Sequence, residues 1–207
     1  MIVLAITGSV GMGKSEASKY FLKQKIEVFD CDKEIASFYN SRKTVEEIRK
    51  IFPSIIIKEN IDKSGLAKIV FNDKQKLQFL ETLLHKKLRK EQSSWLRKKI
   101  REKKKIVVFD VPLLFEKDNL KKYDISIVVS CSKEVQKRRV LKRKNWNEDR
   151  LFKTLKQQMT DSKKQKLADV IFKTDRGKRY LLNNILTIVK LVKNKKTRKI
   201  NDILKEF

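Results

Sequence analysis

Two kinds of hydrophobic pattern alternate along this chain. Short apolar, β-branched runs occur at Ile2-Val-Leu-Ala-Ile-Thr7, Ile26-Glu-Val-Phe-Asp30, Ile106-Val-Val-Phe-Asp110, Ile125-Ser-Ile-Val-Val-Ser130 and Ala168-Asp-Val-Ile-Phe-Lys173. Such runs read as strands, the third a central, buried one. Between them, apolar residues recur three or four positions apart, as on one face of a helix. A first helix opens over Glu16 to Leu22. From Lys33 to about Arg101 the pattern is mainly helical, broken by Pro53, an extended piece at Ile55-Ile-Ile57 and a turn at Ile61-Asp-Lys-Ser-Gly65. Leu77, Leu80, Leu84, Leu88 and Trp95 mark one long amphipathic helix from Asp73 to Arg101. A helical stretch of this size is too large for a simple crossover between strands. It predicts a helical subdomain over the mouth of the sheet, where a second substrate would bind. Further helices are expected from Lys133 to Lys144, Glu148 to Lys166 and Arg176 to Val192. The last would turn Leu181, Leu182, Ile185, Ile188 and Val189 to the sheet.

Between the first strand and first helix lies Gly8-Ser-Val-Gly-Met-Gly-Lys-Ser15, the G-x-x-x-x-G-K-S phosphate-binding loop in its strand–turn–helix setting. Backbone N–H groups converge on an anion only where side chains do not intrude, hence the glycines. The start of the following helix adds unpaired amides and a favourable dipole. Lys14 supplies a point charge to the β/γ-phosphates, and the Ser15 hydroxyl can ligate Mg²⁺. The nucleotide would sit on Gly11, Met12, Gly13, Lys14, Ser15 and Glu16.

Acidic residues end the next strands. Asp30 and Asp32 follow the second, at the carboxyl edge where open parallel sheets handle ligands. Asp32 could equally cap a helix starting near Lys33. Asp110 ends the third strand, where a Mg²⁺-organising carboxylate often sits. The charged helices from Lys133 to Lys166 resemble a lid over ATP. Arg139 and Arg143, four apart on one expected helix face, would neutralise the transferring phosphoryl group.

Composition adds limits rather than chemistry. The chain has 207 residues and a net charge of +27. The lysines are spread over most of its length, as on a solvated surface, so no specific nucleic-acid partner is expected. No apolar run is long enough to span a bilayer, and nothing at the N-terminus reads as a secretory signal. Cys31 and Cys131 have no metal-type spacing, and His85 is the lone histidine. A cytoplasmic protein with reduced thiols is expected.

Several stretches together resemble the dephospho-coenzyme A kinase family, from Thr7 to about Gly177. They are the phosphate loop, Val28-Phe-Asp-Cys-Asp32, Ile69-Val-Phe71, Leu80-Glu81 with Leu84-His85, and Asp110-Val-Pro-Leu-Leu-Phe-Glu116. Arg139 with Arg143, and Gln158 with Ala168-Asp169, complete the set. The resemblance implies an α/β fold of the P-loop NTPase class: a five-stranded parallel sheet flanked by helices, a helical acceptor-binding subdomain and a helical lid. By position the core would be 1–32, 103–135 and 167–192, the subdomain 33–102, the lid 136–166, and a basic tail 193–207. It implies transfer of the ATP γ-phosphoryl group to the ribose 3′-hydroxyl of dephospho-coenzyme A, with Mg²⁺. Asp32 would act as base, with His85 and Leu113 among the acceptor contacts and Ser15 and Asp110 at the metal. Departures from the family pattern are Lys86 for proline after Leu-Leu-His, Thr174 for asparagine, Ser9 for glycine and Glu16 for threonine. The last two leave the loop amides in place. A nucleoside or nucleoside monophosphate kinase is the rival enzyme, and a nucleic-acid-binding NTPase the rival outside small-molecule kinases.

Overall fold

The computed structural model describes residues 1–57, 60–116 and 120–193. The described residues form two compact units, one of Met1–Asp30 with the residues from Leu96 on, the other of Cys31–Trp95. The proposed basic tail beyond Lys193 lies outside the described residues.

In the first unit β1 (Ile2–Thr7), β2 (Glu27–Asp30), β5 (Ile106–Asp110), β6 (Ile125–Ser130) and β7 (Val170–Lys173) form one sheet in the order β2-β5-β1-β6-β7. Every pairing is parallel. β1, β5 and β6 are buried along their whole length, which is why their sequences are continuous apolar runs. Two carboxylates staple the sheet at its backbone. Asp124 Oδ2 accepts from Val3 N–H at 2.8 Å, and Asp169 Oδ2 accepts from Ser126 N–H and Oγ at 2.8 and 2.6 Å. The helices α1 (Lys14–Lys23) and α9 (Lys178–Lys193) bury Ala17, Phe21, Leu181, Ile185 and Ile188 in one cluster with Ile2, Leu4, Ile6, Ile106, Ile125 and Phe172.

The second unit holds α2 (Cys31–Phe38), α3 (Arg42–Arg49), a 3₁₀ turn at Pro53–Ile55, a two-residue pairing of β3 (Ile56–Ile57) with β4 (Asn60–Ile61), and α4 (Lys63–Asn72). Asp62 caps α4 by accepting from Ser64 N–H at 3.0 Å. The long helix α5 (Lys74–Arg101) buries Leu80, Leu84 and Leu88, while Leu77, expected on that stripe, is exposed.

The remaining helices differ from expectation at their ends. α6 (Lys133–Leu141) stops three residues early, and the single helix expected to Lys166 is two, α7 (Glu148–Lys156) and α8 (Asp161–Leu167). Thr160 causes the second break: it adopts extended backbone and its side chain caps Lys163 N–H.

A buried ion pair ties α8 to the turn after β5. Lys164 is fully buried, with Nζ 2.9 Å from Glu116 Oε1 but not aligned as a hydrogen bond. The same oxygen accepts from Met159 N–H at 2.9 Å. Burial alone would raise the Glu116 pKa. The Lys164 ammonium and the Met159 amide outweigh it and hold the carboxyl below its ordinary range. A depressed carboxylate pKa contributes stability above its unfolded value, lost as pH falls through its folded value. Lys164→Met should therefore cost about 3–5 kcal/mol in denaturant titration at neutral pH, by stranding Glu116. The penalty should shrink below about pH 4, where Glu116 protonates in the unfolded chain.

Candidate active site

Main-chain geometry builds the phosphate loop. Gly11 and Gly13 have φ of 80° and 97°, a region that side chains disfavour. Space forbids side chains as well. A Cβ on Gly11 would fall 2.5 Å from Val140 Cγ2, and one on Gly13 about 3.0 Å from Thr174 Oγ1. Gln136 Nε2 clamps the loop from α6 by donating to Val10 O at 2.7 Å. Gly13 is also the N-cap of α1, and no side chain caps that terminus. The amides of Lys14 and Ser15, ahead of the first helical bond from Glu16 N–H to Gly13 O at 3.1 Å, are thus left to an anion.

Lys14 opens α1 and its ammonium hydrogen-bonds Asp110 Oδ1. Ser18, one helical turn later, donates to Asp110 Oδ2 at 2.9 Å. Asp110 is only 3% exposed. Burial pushes its pKa up, the Lys14 charge and Ser18 hydroxyl pull it back, and neighbouring Asp30 pushes it up again. Asp30 and Asp110 are level on paired strands. Ser15 is exposed at the loop. Its hydroxyl and the Asp110 carboxylate are hard oxygen donors. Mg²⁺ in nucleotide sites needs one or two such protein ligands beside phosphate oxygens and water, so the pair fits that ion. Among the described residues no group of three or more His, Cys, Asp and Glu could hold a metal alone.

The expected arginine pair does not share a helix face. Arg139 lies on α6, but Arg143 lies beyond its C-cap, Lys142, because the helix ends at Leu141. Arg143 is exposed, with its N–H on Val140 O. Arg139 instead donates from Nη1 to Thr174 Oγ1 at 2.7 Å and from Nη2 to Thr174 O at 2.9 Å. Leu113 is exposed in the turn after β5, which Thr7 Oγ1 fastens by donating to Pro112 O at 3.0 Å. Glu16 lies in the first turn of α1, and Met12 is buried, its Sδ 3.5 Å from Cys131 Sγ. Both cysteines are free and buried.

In the second unit Asp32 is exposed in the first turn of α2. It does not cap that helix, which already starts at Cys31. His85 is half-buried on α5. Within the same unit, Ser41, Lys43, Thr44, Lys86, Lys87 and Lys90 are among the residues lining a cavity of about 450 Å³. Leu83, Lys86, Lys87 and Lys90 line it from α5, and His85 lies on a different side of that helix.

Ser18 and Gln136 are absent from the sequence-based expectations. Ser18 had a usable signal, since i and i+4 share a helix face and Lys14 was already assigned. Thr174 stood out only as a departure from the family pattern, and nothing along the chain marked its hold on Met12 and Arg139.

Comparison with known proteins agrees with this geometry. The family model described as dephospho-CoA kinase matches residues 2–179. The dephospho-CoA kinase of Bartonella quintana is 34% identical over 195 residues, 94% of this chain and 100% of that one. The Fusobacterium nucleatum one is 36% identical over 180 residues, covering 84% and 90%. Among solved structures, a Thermus thermophilus protein superposes with a TM-score of 0.83 at 27% identity, covering 94% of this chain and 98% of that one. The Aquifex aeolicus shikimate kinase, at 14% identity and a TM-score of 0.51 over 91% and 96% of the two chains, shares the fold.

Gly13→Ala tests the loop. A methyl group there meets both a left-handed backbone and Thr174. The variant should remain folded by circular dichroism and lose about tenfold or more in ATP affinity by calorimetry.

Proposed function

The chain belongs to the dephospho-CoA kinase family, and from that premise we propose how its own residues carry out the reaction. It is a kinase that transfers phosphate to an alcohol acceptor, and dephospho-CoA is that acceptor, in the last step of coenzyme A synthesis. The observation that carries the reading is an intact phosphate loop, with Lys14 anchored on Asp110, inside a family match covering residues 2–179.

ATP would bind with its β- and γ-phosphates in the loop formed by Gly11, Met12, Gly13, Lys14, Ser15 and Glu16, where the Met12 and Glu16 amides already donate to Ser9 O and Gly13 O and hold the turn. The ammonium of Lys14 has three protons, so it can hold Asp110 and a phosphate oxygen together. Ser15 and Asp110 would hold Mg²⁺, which when bound neutralises charge on the β- and γ-oxygens. The acceptor would lie with the helical unit, near His85 and Leu113. The cavity lined by Lys43, Lys86 and Lys90 opens on another side of α5 from His85, and there Lys87 is already paired with Glu47 at 2.8 Å. Asp32 would accept the proton of the ribose 3′-hydroxyl as its oxygen attacks the γ-phosphorus. The bond from that phosphorus to the β-phosphate oxygen then breaks, leaving ADP. Arg139 and Arg143 would offset charge on the phosphoryl oxygens. No helix among the described residues is long and apolar enough to cross a membrane, and a cytoplasmic site of action suits an ATP-consuming enzyme.

The test is an acceptor panel with ATP and Mg²⁺, with products identified by mass. Phosphorylation of dephospho-CoA in preference to cytidylate, uridylate and free nucleosides is expected. Preference for a nucleoside would overturn the reading. Asp32→Asn should keep ATP binding and lose about 100-fold or more in kcat. Near-normal turnover would remove Asp32 from the role of base.

A further inference from the structure

The end of β7 reaches the phosphate loop through one residue. Thr174 is 8% exposed, and its N–H donates to Ser130 O at 2.8 Å, which carries the β6–β7 pairing one step beyond the strand. Its hydroxyl donates to Met12 O, inside the loop, at 2.7 Å. The same hydroxyl accepts from Arg139 Nη1, and the Thr174 carbonyl accepts from Arg139 Nη2. Its side chain also fills the space beside the bare α-carbon of Gly13. A hydroxyl can donate one hydrogen bond while accepting another, so a single atom joins loop and arginine. The side chain is β-branched and stiff about its first torsion, and of the two carbonyls within reach of its hydroxyl, Met12 O at 2.7 Å is closer than Ser130 O at 3.4 Å. Arg139 is gripped at two points by one residue, which fixes the plane of the guanidinium as well as its position.

We infer that Thr174 is a positioning residue for the nucleotide half of the reaction, setting Arg139 and the turn at Met12–Gly13 in one fixed relation. Preorganised donors cost less to align when the ligand arrives, so the effect falls on ATP rather than on the acceptor. Through Arg139 and Met12 it acts on charge and amides that face the phosphates, without touching the reacting atoms itself. A threonine that served stability alone would act on the whole protein equally and show no preference between substrates.

This inference rests on the loop being the ATP site, which wild-type calorimetry with ATP checks first; absence of binding there would sink that reading and not merely this step. With binding in hand, the variant is Thr174→Val, which keeps shape and removes the hydroxyl. The expected result is a KM for ATP raised about tenfold, with the KM for dephospho-CoA within about twofold. Thr174→Ser should recover most of the loss. In an Arg139→Ala background, Thr174→Val should cost distinctly less than in the wild type, because the two residues act as a unit. An ATP KM within twofold of wild type would overturn the inference. So would a serine variant as impaired as the valine one, or penalties that add in full. Should Thr174→Val fail to fold, Arg139→Lys carries the test. One ammonium cannot span hydroxyl and carbonyl in a fixed plane, and the same selective rise in ATP KM is expected. A lysine variant with wild-type ATP KM would then refute the assignment.

Discussion

A buried carboxylate cannot be left alone, and at Asp110 that constraint organises the nucleotide end of the fold. Its charge sits almost out of water at the end of β5. The first turn of α1 supplies the compensation through Lys14 and Ser18. For both to reach it, β1 and β5 must be adjacent, as their register from Ile2↔Ile106 to Ile6↔Asp110 makes them. Helix α1 must also leave β1 through a turn short enough to bring its first residues back over the sheet. The left-handed glycines make that turn. One pairing therefore ties the adjacency of β1 and β5 to the loop path and to the direction of the lysine that phosphate requires.

The rest of the first unit steadies this arrangement from other sides. Gln136 grips the loop at Val10, Thr174 grips it at Met12, and Thr7 fastens the turn after β5. Each contact joins segments more than a hundred residues apart. Glu116 and Lys164 do the same for α8, at the cost of burying two charges that need each other. In the helical unit, lysines and the acids Glu47 and Glu91 line the cavity together, and Lys87 pairs with Glu47 at 2.8 Å.

Particular elements show how far the sequence could be read. The five strands were visible because each is a short apolar run, and for those buried on both faces the surroundings hardly matter to the pattern. The phosphate loop was visible because its chemistry needs particular residues at fixed spacing. Helix ends were harder. The break at Gln157–Thr160 depends on Thr160 capping a helix rather than continuing one, and threonine permits both. Leu77 matched the stripe of α5 in spacing, yet near the start of the helix it is exposed. Arg143 looked like a partner of Arg139 only while α6 was taken to run through it.

By itself, the sequence determined the strands, the loop and the lysine, since local spacing and residue type are enough to specify a turn that must approach phosphate. Tertiary structure alone decided what the polar side chains do. That Asp110 holds Lys14 and Ser18, that Arg139 rests on Thr174, and that Lys164 is entirely out of water all depend on segments distant in the chain. A polar side chain takes its role from the partner that burial leaves within reach, and no pattern along the chain records that partner.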